Sequence, residues 1–333
     1  TQLFIVQPEA LTGTGTVTAA GETTRSALNN FPVGGFIYME HNLLNEAQVK
    51  DMTSAAQAFS YERTGLPLFI SVDEEGGTVT RINRDTFDVP LIGDMADIGI
   101  EGDLSEAREV GRLIGAYLSE LGFNLDFAPV ADVWSNPENQ VVARRSFGSD
   151  PQLAAQMSME FLKGLQSEHV YGTLKHFPGH GSTSGDTHEG FAISDRTLEE
   201  LKSCDLIPFI QGIEQGADFI MVGHISLPRI TGNETPASLS GIIVTDLLRN
   251  QLQYDGIIIT DAMNMGAVAQ NYSASQAAVM ALEAGVDIIL MPSDFYSAYY
   301  GVLEAVEQQR ISQERIDESL RHILNVKLSL LEQ

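Results

Sequence analysis

Apolar residues in this chain come in short runs, each followed by a stretch with helical spacing. The runs are LFIV (3–6), GGFIYM (34–39), PLFISVD (67–73), NLDFAPV (124–130), YGTLKHF (171–177), DFIMVGH (218–224), GIIITDA (256–262) and DIILMP (287–292). Most are apolar almost without interruption, the pattern of strands buried on both faces of a parallel sheet. Between them, the spacing of apolar positions predicts helices over 45–61, 104–121, 152–165, 198–215 and 274–284. The stretch SDRTLEEL places acidic residues in the first turn of the fourth, as N-terminal capping favours. Eight strands alternating with helices predict a (β/α)8 TIM barrel, a single domain over residues 1–333. The competing architecture is an open, doubly wound sheet, but no Gly-rich nucleotide-binding turn follows an early strand. The sequence shows no low-complexity linker and no repeat shorter than the βα unit itself.

The barrel reading carries a chemical expectation. Functional side chains should gather at the carboxyl ends of the strands and in the loops that follow them. Those ends carry Asp73, Asp132, Lys175 with His176, His224 and Asp261. Any one of them could simply cap a strand or bond loop backbone. Five of eight strand ends together point to a site.

Charge narrows the candidates. With 45 acidic and 19 basic residues, the net charge is −26. Nucleic acid and anionic membrane need Lys/Arg footprints and are disfavoured as partners. A neutral or small substrate fits better, and a basic residue inside an apolar run stands out. The lone cysteine, Cys204, excludes a disulfide within the chain and a cysteine-rich zinc site. No apolar run has the length of a membrane-spanning helix. The chain enters a strand-like run almost at residue 1, so an upstream segment is expected to have been removed. Together with the acidic, lysine-poor surface, this favours an exported or envelope-associated protein slightly over a cytoplasmic one. A monomer is expected.

Individual motifs add detail. In GIIITDAMNMGA, Asp261 follows a fully apolar strand, where a carboxylate can act as nucleophile, base or metal ligand, or cap the next helix. SVDEEGGTVTRI sets Asp73 at a strand end with Arg81 beyond a Gly–Gly turn. Such a carboxylate accepts from paired hydroxyls, and the arginine donates to them; the plainer reading is a loop salt bridge. Of the adjacent Arg144 and Arg145, one is expected to face the site. Lys175 lies inside an apolar run, and a buried ammonium needs partners. KHFPGHGSTSGDTHEG holds three of the seven histidines. A metal reading would use His176, His180 and His188, with Asp186 or His224. Pro178–Gly179 breaks the helical spacing that such a pair needs. The other reading is an acid/base loop, in which a bend lets Asp186 touch His188 and stabilise the protonated ring. His180 then supports the turn. No metal or cofactor is expected.

KHFPGHGSTSGDTH followed by TDAMNMGA closely resembles glycoside hydrolase family 3, in its β-N-acetylglucosaminidase branch. DEEGGTVTRI, NLDFAPVADVWSNP and RRSFGSD resemble further motifs of that branch in the same order, so the resemblance covers nearly the whole chain. It implies a barrel and a retaining double displacement on non-reducing terminal β-linked N-acetylglucosamine, from peptidoglycan fragments or chitooligosaccharides. By that resemblance Asp261 is the nucleophile, His188 the acid/base and Asp186 its partner. Asp73 grips sugar hydroxyls, and Arg81, Arg145, Lys175 and His176 line the sugar pocket. His224 matches a further pocket position. Lysine and arginine near Asp261 are expected to keep it ionised. Two other classes compete. A phosphorylase would use phosphate in place of water, and a sugar-binding protein would lack turnover.

Overall fold

The computed structural model of the protein describes residues 1–82, 85–184 and 192–331. Eight parallel strands form the centre: β1 Phe4–Val6, β2 Gly35–Ile37, β3 Phe69–Val72, β4 Leu125–Asp126, β5 Tyr171–Phe177, β6 Phe219–Val222, β7 Ile257–Thr260 and β8 Ile289–Leu290. They pair in chain order from β1 to β7, and β8 pairs with β1 through Phe4 and Ile289. A bridge between Ile259 and Ile288 joins β7 to β8 and closes the ring. The helices pack outside, so the strands are buried on both faces, which is why their sequences do not alternate. The fold is the expected single-domain (β/α)8 barrel.

Each expected strand is present, with shorter limits except at β5, which spans the whole of 171–177. The fourth run differs most, because regular pairing ends at Asp126 and Pro129 has no N–H to give the ladder. Pairing resumes irregularly beyond it, with Ala131 N donating to Lys175 O at 2.7 Å. The helix expected over 198–215 is two helices, Leu198–Ser203 and Ile207–Glu214. Pro208 removes the N–H that a continuous helix would donate to Cys204, so the chain breaks there and buries Asp205. A two-stranded parallel ribbon, Ala192–Ile193 with Ile225–Ser226, was not foreseen; each strand is too short to leave a periodic signal.

The amino end of the barrel is sealed by the last helix, Gln313–Leu331. Its Lys327 is fully buried beneath Phe69. The ammonium donates to Gln2 Oε1 (2.8 Å), Gly34 O (2.8 Å) and Pro67 O (2.7 Å), at the entrances to β1, β2 and β3. Nearby, Asp287 takes Arg249, Arg315, Ser319 and His322 together with the Ile258 N–H.

Candidate active site

The site lies at the opposite, carboxyl end. After β3 the chain presents Asp73 and Glu75, two residues apart and therefore on one side. It then turns at Gly77, whose φ is +55° and where a Cβ would fall 2.2 Å from Asp94 Oδ1. Glu75 is 2 % exposed. Arg145 grips its carboxylate with two parallel bonds, Nε to Oε2 at 2.7 Å and Nη2 to Oε1 at 2.8 Å. Lys175 Nζ lies 2.6 Å from Glu75 Oε1 and 2.8 Å from Asp73 Oδ1. Arg81 Nη2 stands 3.8 Å from the other Asp73 oxygen. Arg144 points outward to Asp94, so the inward member of the arginine pair is Arg145.

These charges hold one another ionised. Burial alone would raise the pKa of Glu75, but Arg145 and Lys175 outweigh it and keep the carboxyl well below the ordinary range. Burial would likewise depress Lys175, yet Asp73 and Glu75 raise its pKa above the usual lysine value. A buried charge lattice of this kind persists only because each member is paired.

Beside the lattice, β5 leads into His176 and the Pro178–Gly179 turn. Gly179 has φ +126°, and a Cβ there would come within 2.6 Å of Asp205 Cβ, so only glycine fits. The turn is held from within by Asp132, which is fully buried. Asp132 Oδ1 accepts the backbone N–H of His176 (3.1 Å) and of His180 (2.6 Å). Its Oδ2 faces His176 Nδ1 at 2.7 Å. His180 does support the turn, but its ring also lines the cavity. Its Nδ1 sits 3.0 Å from Thr183 Oγ1, while its buried Nε2 has no partner among the described residues. Burial lowers the pKa of His180 despite the pull of Asp132.

Asp261 follows β7, and the Ala262 N–H donates to its Oδ1 at 2.7 Å. Burial would raise its pKa. His176 and His224, then the Ala262 N–H and Lys175, reverse that and lower it. Lys175 contributes as expected, although the two imidazoles come before it. His224 is relocated. It is fully buried behind the Asp261–Ala262 turn, with Nδ1 2.7 Å from Ser238 Oγ and Nε2 3.0 Å from Ala262 O, and it does not line the cavity.

The cavity measures about 400 Å³ and brings together Asp73, Arg81, Arg145, Lys175, His176 and Asp261. Glu75 and His180 join them; Glu75 had no expected role, and His180 was expected only as a metal ligand or as support for the turn. Glu75 carried a usable signal, since it shares a face with Asp73. Met39, Met265 and Met291 supply an apolar part of the wall. Asp186 and His188 lie outside the described residues. The arrangement offers an ionised carboxylate against one wall and, facing it, fixed donors and acceptors suited to a polyhydroxylated ring.

Comparison with known proteins agrees in kind. The model of the glycosyl hydrolase family 3 N-terminal domain matches residues 2–326. The chain is 34 % identical over 328 residues to beta-hexosaminidase A of Pseudoalteromonas piscicida, covering 91 % of this chain and 54 % of that protein. It is 35 % identical over 286 residues to a beta-hexosaminidase of Nitrosomonas eutropha, covering 84 % of this chain and 80 % of the relative. A solved glycoside hydrolase family 3 beta-N-acetylglucosaminidase from Paenibacillus sp. str. FPU-7 superposes with a TM-score of 0.92 at 36 % identity, covering 99 % of this chain and 61 % of that one. The chain thus spans little more than half the length of the first of these relatives.

Proposed function

Because the chain belongs to glycosyl hydrolase family 3, we propose that it is an exo-acting β-N-acetylglucosaminidase working by retaining double displacement. One observation carries the reading. Asp261, with its pKa lowered, lines the same cavity as the Asp73–Lys175–Glu75–Arg145 lattice. A glycosidic bond breaks through an oxocarbenium-like transition state, which needs a nucleophile on one face and a proton donor on the other.

In this reading Asp261 attacks the anomeric carbon of a terminal β-linked N-acetylglucosamine. Asp73 accepts from ring hydroxyls, while Arg81, Arg145, Lys175 and His176 donate to them. His224 acts from behind, fixing the Ala262 carbonyl and the turn that aims Asp261. His188 protonates the departing oxygen and later takes a proton from the incoming water, with Asp186 raising the ring's pKa for the first step. A histidine in place of a second carboxylate avoids like-charge repulsion with Asp261. Peptidoglycan fragments are the favoured source of substrate, ahead of chitooligosaccharides, and the enzyme works as a monomer.

The test is release of 4-nitrophenol from 4-nitrophenyl N-acetyl-β-glucosaminide and from the matching β-glucoside, with and without phosphate. Phosphate-independent release from the first and little from the second is expected, and His188→Ala should lower it about 100-fold or more. A free-sugar product replaced by sugar 1-phosphate would favour a phosphorylase, and no release from either would end the enzymatic reading.

A further inference from the structure

Asp132 has no place in the scheme above, yet it is as fully engaged as the cavity-lining Glu75. It is fully buried and receives three donors from one short stretch of chain, the backbone N–H groups of His176 and His180 and the His176 ring. Two of these bonds set the backbone of the turn. The third sets the chemistry of a cavity-lining side chain.

An imidazole whose Nδ1 lies 2.7 Å from a carboxylate keeps a proton on that nitrogen, because the carboxylate can only accept. That contact commits Nδ1 and leaves Nε2 for other partners, and the ring lines the same cavity as Asp261. We propose that Asp132 is a positioning residue for the glycosidase. It fixes the ring and tautomer of His176 so that the imidazole stands as a cation beside Asp261 and keeps that nucleophile ionised. The inference rests on the reading of Asp261 as the nucleophile, and it gives His176 a second task besides meeting a sugar hydroxyl.

The surrounding charges are consistent with this task. Against Asp132 stand His176, His180 and Arg145, with Asp205 as the opposing negative neighbour. Against His176 stand Asp132 and Asp261, with the His180 ring edge-on at 5.8 Å. Around Asp261, burial is opposed first by His176, then by His224, the Ala262 N–H and Lys175. Lys175 is already shared between Asp73 and Glu75, and both nitrogens of His224 face neutral oxygen atoms. His176 meets a dedicated carboxylate through its ring Nδ1. Burial would push Asp132 toward the neutral acid, and its histidine contacts hold its pKa below the ordinary value instead, so the partner carboxylate is itself charged.

The sign follows from the nucleophile's role. Asp261 reacts as the carboxylate, so kcat/KM falls on the acid side as it protonates. Losing the positive neighbour raises the pKa of Asp261, and the acid limb moves to higher pH. Loss of one adjacent opposite charge shifts a carboxylate by about one unit.

The experiment is the pH profile of kcat/KM on the aryl N-acetylglucosaminide for the wild type, Asp132→Asn, His176→Gln and the double variant. Asp132→Asn should move the acid limb up by about one pH unit. His176→Gln should move it similarly, and the double variant should move it no further, because Asp132 acts through His176. Asp132→Glu should restore part of the shift. A merely structural Asp132 would lower the folded fraction or kcat/KM uniformly and leave the limb in place. That result, or additive shifts in the double variant, overturns the proposal.

Should Asp132→Asn fail to fold, nitrogen NMR of the wild-type histidines decides, with His176→Gln assigning the signal. His176 Nδ1 should stay protonated throughout the titration, and a neutral Nε2–H tautomer overturns the proposal. Failure of the underlying reading looks different, since the wild type would then show no turnover, or Asp261→Ala would keep it, whatever the His176 signal does.

Discussion

The two ends of this barrel solve the same problem, burial of charge, in opposite ways. At the amino end Lys327 meets three oxygens, none of them a carboxylate, and Asp287 is surrounded by donors. These groups bind chain to chain. At the carboxyl end Glu75, Lys175, Arg145 and Asp73 are just as tightly paired, but the cluster opens on a cavity. There His180 Nε2 lacks a partner among the described residues, and Asp261 Oδ1 accepts from the Ala262 N–H. Buried polarity that is complete holds the fold together. Buried polarity that opens on a cavity is where a ligand can be met.

The contrast is broken most severely at Glu75. Glu75→Gln leaves Lys175 and Arg145 without their shared negative partner, in the geometry where a lost buried partner costs about 3–5 kcal/mol. Both readouts should fall, with urea midpoint and kcat/KM dropping together and the latter by about 100-fold or more. A variant that kept wild-type turnover would show that the lattice is scaffolding only.

Lys327→Met sharpens the contrast from the other end. It keeps the volume but strands the Gln2, Gly34 and Pro67 oxygens, at about 1–3 kcal/mol for each that water cannot reach. Urea unfolding should register a loss of roughly 2–4 kcal/mol. The folded fraction should turn over substrate at the wild-type kcat/KM. A change in KM would mean that the floor communicates with the mouth.

The same contrast explains what could be read in advance. Strands buried on both faces write themselves as uninterrupted apolar runs, so all eight were legible, and with them the barrel and the end that carries the site. Strand-end polarity also placed Asp73, Lys175, His176 and Asp261 around one mouth. Partnership was not legible. Asp132 meets His176 across 44 residues, and Arg145 meets Glu75 across 70. No local pattern encodes such distances. His224 looked like a pocket residue because it ends a strand, but Ser238 and Ala262 turn its ring away. The split helix at Pro208 was within reach, since that proline stands in the sequence, yet the apolar periodicity on either side masked it.

The central claim is that Asp261 becomes covalently attached to the sugar. The direct measurement is intact and peptide mass spectrometry after incubation with a 5-fluoro N-acetylglucosaminyl fluoride, which slows breakdown of a glycosyl-enzyme. The account predicts one added sugar per chain, mapped to the peptide containing Asp261 and absent from Asp261→Ala. A sugar on any other residue, or an active enzyme that never acquires the adduct, would contradict it.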